Sequence, residues 1–278
     1  MMKIKRCIYL SLAYVQNSVR SWYFIAAVVL YFIILFMSTY SDFNSSGSAG
    51  AIYFLHYAFM NGSTSYFLPV ICALAASTVF CREWKSGYLI FTYTRAGRGV
   101  YVASLHFSAA FVAFLVSIIG TCVYFAVICT RFPVISADFD LQNIISTYAN
   151  GGLLKENKVF LFVAISIITQ ASLDALLSSS AVFAALAFPD PYLTTVSPMV
   201  IYIVVTNVMS LIGLPRMINP YYVFSGYKYV NIAFGDTGSN SFHLIAGVYP
   251  ILFTIAWIIM LSIIMGILIN RKYERREV

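Results

Sequence analysis

The chain has 278 residues, of which 61% are apolar, 17% aromatic and only 10% charged. An ordinary soluble domain carries roughly a quarter charged residues, so this chain has too few to cover a water-exposed surface. Intrinsic disorder, a nucleic-acid-binding domain and a secreted disulfide scaffold are excluded on the same ground, leaving an integral membrane protein, which the apolar spans counted below predict to be all-α.

Residues 1–20 open with Lys3, Lys5 and Arg6 ahead of an apolar stretch, as a secretory signal does. Gln16, Asn17 and Arg20 break that stretch and no small-residue cleavage site follows, so a cleaved signal is not expected. On a helical wheel Ile4, Ile8, Leu12, Val15 and Val19 share one side, and Lys5, Arg6, Gln16, Asn17 and Arg20 the other. That pattern predicts an amphipathic helix lying in the membrane interface.

A helix crossing the hydrocarbon needs roughly 20 apolar residues, and six stretches qualify. They are 22–40, 66–81, 101–129, 159–188, 197–213 and 248–270. Residues 51–60 are expected to form a helix on or dipping into the outer interface. Pro69 falls in the first turn of the second predicted span, where its missing N–H costs little. Pro189-Asp190-Pro191 reads as a turn, and Ser197-Pro198 as the cap and first residue of the fifth span.

Six spans place both termini on one side. Lys3, Lys5, Arg6, Arg20, Arg82, Lys85, Arg95, Arg98, Arg271, Lys272, Arg275 and Arg276 share it, whereas Arg131, Lys155, Lys158, Arg216 and Lys228 lie opposite. Twelve basic residues against five predict cytoplasmic termini. The interior loops are then 82–99 and the 189–195 turn. The exterior segments are 41–65, 130–158 and 214–247, the last with Pro215, Pro220, Tyr221, Tyr222, Phe224, Tyr227 and Tyr229, suited to the interface. Asn44-Ser45-Ser46 and Asn61-Gly62-Ser63 fit the glycosylation pattern.

Of the five cysteines, Cys122 and Cys129 are seven apart on one helix face, a spacing a soft metal can use. No pair is CxxC and the number is odd, so all five read as reduced, small apolar residues, with no metal. There is no HExxH, no GxSxG and no Gly-Lys dipeptide, hence no P-loop. An enzyme would have to assemble its site from dispersed residues such as Asp174, His106 and His243. Ion-coupled carriers usually place several ionisable groups within their spans, and here Asp174 and His106 alone qualify. Energy for uphill transport is therefore expected from another subunit.

Residues 81–108 read CREWKSGYLIFTYTRAGRGVYVASLHFS. Tyr88, Leu89, Ile90, Phe91 and Tyr93 are too few to span a bilayer and too apolar for a free loop. They suit a short helix between the membrane and a docked protein, with Gly87, Gly97 and Gly99 as bends. The stretch resembles the permease subunits of ABC type-2 transporters, particularly small bacterial ones. Their second span leaves through a glutamate–glycine pattern, followed by an amphipathic coupling helix and an Arg-x-x-Arg-x-x-aromatic approach to the third span. Glu83, Gly87, Arg95, Arg98 and Tyr101 stand at those positions, with Phe91 in the coupling helix; the lysine the family often carries next is absent from Ala103 to His106.

The resemblance implies an N-terminal interfacial helix, six spans, a short internal turn between spans four and five, and an external re-entrant segment before span six. It further implies a bacterial cell membrane, a separate ABC ATPase subunit that binds ATP and Mg, a second copy or sister permease, and export of a peptide, lipid-like compound or drug. The residues themselves leave the 82–99 loop open between an ATPase-coupling element and a solvated turn with topogenic charges. Asp174, with Gln170 and Ser178 four residues to either side, is either a polar lining of the substrate path or protomer interface, or an interhelical hydrogen bond. A stand-alone ion-coupled carrier or channel is the alternative function.

Overall fold

The computed structural model describes residues 2–43, 49–60, 62–136, 151–213, 219–224 and 241–274. Among them the chain is helical, with no strand. The helices are α1 (Met2–Val19), α2 (Trp22–Thr39), α3 (Ala51–Met60), α4 (Gly62–Ala76), α5 (Val79–Ser86), α6 (Tyr88–Ala96) and α7 (Arg98–Arg131). They continue with α8 (Gly152–Lys155), α9 (Val159–Ala187), α10 (Pro191–Leu211), α11 (Pro220–Phe224) and α12 (Ser241–Glu274).

Five of these helices (α2, α7, α9, α10 and α12) are long and apolar enough to cross a membrane, and α4 with α5 makes a sixth if that bent pair is one span. The uncharged runs therefore became the expected helices. Their surfaces fit a lipid environment as well. On α10 Val196, Val200, Val204 and Val208 are exposed, and on α12 Ile255, Ile259, Ile263 and Ile267. Residues four apart share a helix face, so each set is a continuous apolar stripe turned outward.

At the centre lies α9, packed against α4, α7, α10 and α12. Every residue from Thr169 to Val182 is buried, so this helix is covered on all sides. Its small residues Ala171, Ser172, Ala175, Ser178, Ser179, Ser180 and Ala181 let neighbouring backbones approach. Between apolar helices in lipid, close packing of this kind replaces the hydrophobic drive that holds soluble cores.

The two ends of the bundle are built differently. At one end Ala51 N–H donates to the Pro133 carbonyl (2.8 Å), joining the start of α3 to the chain leaving α7. At the other, the α5–α6 corner meets the turn between α9 and α10. There Cys81 Sγ lies 3.2 Å from Thr194 Oγ1, and Lys85 Nζ 3.7 Å from Asp190 Oδ2. The latter pair is largely exposed and contributes little. The 82–99 segment and the α9–α10 turn thus share one end, as expected of two loops on one side of a membrane.

Four local expectations are corrected. The fifth spanning helix begins at Pro191, not at Ser197-Pro198. Asp190 is its cap, its carboxylate accepting from Tyr192 N–H (2.9 Å) and Leu193 N–H (3.3 Å), and Pro191 takes the first helical position. Those amides, Leu193 first, hold the Asp190 carboxyl below its ordinary range. Pro198 is then inside the helix. The carbonyl it leaves unbonded, Thr194 O, accepts instead from Ser197 Oγ at 2.8 Å, which offsets part of the proline's cost.

Pro69 likewise sits inside α4, which starts at Gly62. The second span is broken, with α4 and α5 meeting at 42° across Ser77-Thr78. Ser77 Oγ donates to the Ala73 carbonyl (2.8 Å) beside the backbone amide of the same residue (2.9 Å), a back-bond that bends helices. Of the expected glycine bends, Gly87 (φ 70°) and Gly97 (φ 86°) are left-handed turns, whereas Gly99 lies within the first turn of α7.

Helix α3 forms over 51–60 as expected and is largely enclosed by α2, α4 and α7. In the segment 214–247 the structure describes α11 and the start of α12. Asn44, Asn61, Pro215, Arg216, Tyr227, Lys228 and Tyr229 lie outside the described residues.

Candidate functional site

Glu83 is one turn before the left-handed Gly87 that ends α5. Its two carboxylate oxygens are used by two different helices. Tyr14 Oη of α1 donates to Oε1 at 2.9 Å, and Tyr101 Oη of α7 donates to Oε2 at 2.6 Å. Tyr101 is fully buried and Tyr14 nearly so. A carboxylate accepting from two tyrosines makes two charge-assisted hydrogen bonds, each stronger than a neutral one. Burial, and then the neighbouring Glu83 charge, raise the Tyr14 phenol well above its ordinary range, so it remains a donor. The result is a clasp joining the N-terminal helix, the end of the broken second span and the start of the third.

Immediately after the clasp, α6 projects from the bundle between two glycines. Leu89 is buried and anchors it, whereas Phe91 is 66% exposed and Tyr88 59% exposed. Arg95 is exposed near the end of α6, and Arg98 is the first residue of α7. Among the residues proposed from the sequence, Glu83, Gly87 and Tyr101 form one mechanical unit with Tyr14. Phe91 and Arg95 lie on the helix that unit carries.

A second polar centre lies in the middle of the bundle. Asp174 of α9 is completely buried. Its Oδ2 accepts from Tyr31 Oη of α2 at 2.9 Å, and its Oδ1 from Gln170 Nε2 at 3.4 Å. Tyr31 Oη is also 2.8 Å from Ser117 Oγ of α7. Three helices therefore meet at one carboxyl, with no ion pair to it among the described residues. Ser178, expected with Gln170 and Asp174, is not in this network; its Oγ is buried with no hydrogen-bond partner among the described residues.

The Tyr31 ring reaches Asp174 only because position 120 is glycine. A Cβ built on Gly120 would stand 2.6 Å from Tyr31 Cδ1, closer than real contacts allow. Tyr124, one turn further along α7, repeats the theme, its hydroxyl 3.0 Å from Thr39 Oγ1.

His106 belongs to a third, separate contact, with Nδ1 2.9 Å from Ser179 Oγ and Nε2 3.1 Å from Met265 Sδ. It ties α7 to α9 and α12. Asp174 and His106 thus have different partners and do not form a catalytic pair. Cys122 is exposed, Cys129 partly buried, and all five cysteines are free. No group of three or more His, Cys, Asp or Glu able to hold a metal occurs among the described residues. Compared with known protein families and with curated proteins, the chain matches none.

Tyr14, Tyr31 and Gly120 are the site residues that sequence reasoning missed. Tyr14 is 69 positions from Glu83 and Tyr31 is 143 from Asp174, so no local pattern connects them. A tyrosine in an otherwise lipid-like run is a weak signal, since its hydroxyl needs a partner wherever it is buried.

Proposed function

We propose that this chain is the membrane-spanning permease subunit of an ATP-driven ABC transporter, working as an exporter in a bacterial cell membrane with both termini in the cytoplasm. In this reading α1 lies in the inner interface and α6 is the coupling helix. A separate ATPase, which binds ATP and Mg, docks on α6 and α1. A second copy or sister permease completes the pathway, with Gln170 and Asp174 joining helices inside each protomer rather than lining it.

The observation that carries the reading is the clasp at Glu83. A force applied to α6 by a docked protein cannot be absorbed in a loose loop. It passes through Gly87 to a residue held at once by α1 and α7, and α7 packs on the central α9. A solvated turn needs no such anchorage. The exposed aromatic surface of Phe91 and Tyr88 beside Arg95 is the kind that docks another protein.

The test is Glu83→Ala in the complex purified with its ATPase and placed in vesicles. The expected result is continued ATP hydrolysis with transport reduced at least tenfold, on the order of 1.4 kcal/mol or more of lost coupling. Normal transport in that variant would refute the role. One observation favours the alternative of a stand-alone ion-coupled carrier: the buried carboxyl of Asp174, where three helices converge. In that case Asp174→Asn abolishes transport and no ATPase is required.

A further inference from the structure

A groove of about 750 Å³ runs between α1 and α6. Each wall presents residues at helical spacing: Arg6, Tyr9 and Leu10 on α1, and Tyr88, Phe91 and Arg95 on α6. The body of the groove is thus aromatic and aliphatic, with one arginine from each helix. Both arginines, one from each helix, line this one groove.

Among the described residues nothing in the groove neutralises them. No acidic residue lines it, and neither Arg6 nor Arg95 has an ion pair among the described residues. Glu83, the carboxylate nearest in sequence to α6, is already occupied by Tyr14 and Tyr101. Two guanidinium groups in one groove repel unless an anion lies between them, and their planar forks match phosphate oxygens. A free phosphate has no use for the apolar length of the groove. A hydrocarbon chain does.

We propose that this groove binds an anionic phospholipid, its phosphate between Arg6 and Arg95 and an acyl chain along Tyr9, Leu10 and Ala13 of α1. Basic clefts between helices on the cytoplasmic side of membranes hold such headgroups. The inference rests on the topology of the proposed reading, which puts α1 and α6 on the cytoplasmic side, but not on transport itself. Lipid in this position packs α6 against α1 and sets the stance of the helix that follows the Glu83 clasp.

The experiment is native mass spectrometry of the full chain from nanodiscs containing phosphatidylcholine with a minor share of phosphatidylglycerol. Wild-type protein is expected to retain phosphatidylglycerol preferentially. Arg6→Gln with Arg95→Gln should lower that preference by about fivefold for each arginine. Unchanged retention of phosphatidylcholine verifies that the variant is folded. Arg20→Gln with Arg82→Gln removes the same charge outside the groove and should leave the preference intact. The proposal is overturned if the Arg6/Arg95 variant keeps its preference, or if the control pair loses as much. Full competition by soluble glycerol phosphate would show a free phosphate-ester site instead. Loss of a bound protein partner with lipid retention unchanged would assign the groove to an acidic protein segment.

Discussion

Replacing Glu83 by glutamine and by alanine separates its two oxygens. The wild-type carboxylate accepts one hydrogen bond at each oxygen, from Tyr14 and from Tyr101. Glutamine keeps one acceptor and turns the other into a donor, so one tyrosine loses its acceptor; alanine removes the carboxylate acceptor from both. Tyr101 is buried to 0% exposure, so its hydroxyl has no water to turn to, and losing a charge-assisted bond there costs about 2 kcal/mol. Tyr14 lies nearer solvent and contributes about 1 kcal/mol. Stability should therefore fall from wild type to glutamine to alanine, with a total of about 3 kcal/mol for alanine. Tyr14→Phe retains the ring and removes one hydroxyl, so it should match the smaller step and loosen α1 alone. Thermal unfolding in mild detergent gives the order, and hydrogen exchange of α1 against α7 shows which helix is released. Equal stability of all three proteins, or release of α7 by Tyr14→Phe, would refute the clasp.

Tyr31→Phe and Asp174→Asn should couple in a double-mutant cycle by about 1 kcal/mol, within the range for hydrogen bonds between membrane helices; strict additivity would mean the contact contributes nothing. Gly120→Ala is expected to cost 1–3 kcal/mol, on the order of an overpacked core, because the new Cβ displaces the Tyr31 ring. Combining it with Tyr31→Ala should restore most of the loss in the same unfolding assay. His56 of α3, half-buried, is held near pH 4 rather than 6.5 by the water it loses. The unfolded chain then binds more protons between those values, so acidification from pH 7 to 4 should erode stability, by ~3 kcal/mol at most. His56→Gln should flatten that part of the pH–stability curve.

The spanning helices were readable because each is bounded by charge and long enough to cross hydrocarbon, and that signal survives any tertiary detail. The break in the second span was not. Ser77-Thr78 contains neither proline nor glycine, and the bend comes from a hydroxyl competing for a helical carbonyl. The start of α10 was misread because Ser197-Pro198 looks like a cap. Asp190-Pro191 has the same pattern with a stronger acceptor, and its location between two prolines disguised it. Asp174 was identifiable as a costly residue within an apolar span, and Glu83 by its place in the glutamate–glycine pattern, but their partners were not. Tyr14 and Tyr31 find them through helix packing across long sequence separations, which composition and spacing do not encode.

The central claim is that α6 receives work from a separate ATP-hydrolysing protein. It is tested most directly by affinity purification of the chain from its native membrane in mild detergent, with identification of whatever co-elutes. The account predicts a P-loop ATPase in stable association, released when Phe91 and Tyr88 are both replaced by alanine. A chain that purifies without any nucleotide-binding partner, yet carries its cargo across vesicles unaided, would contradict it.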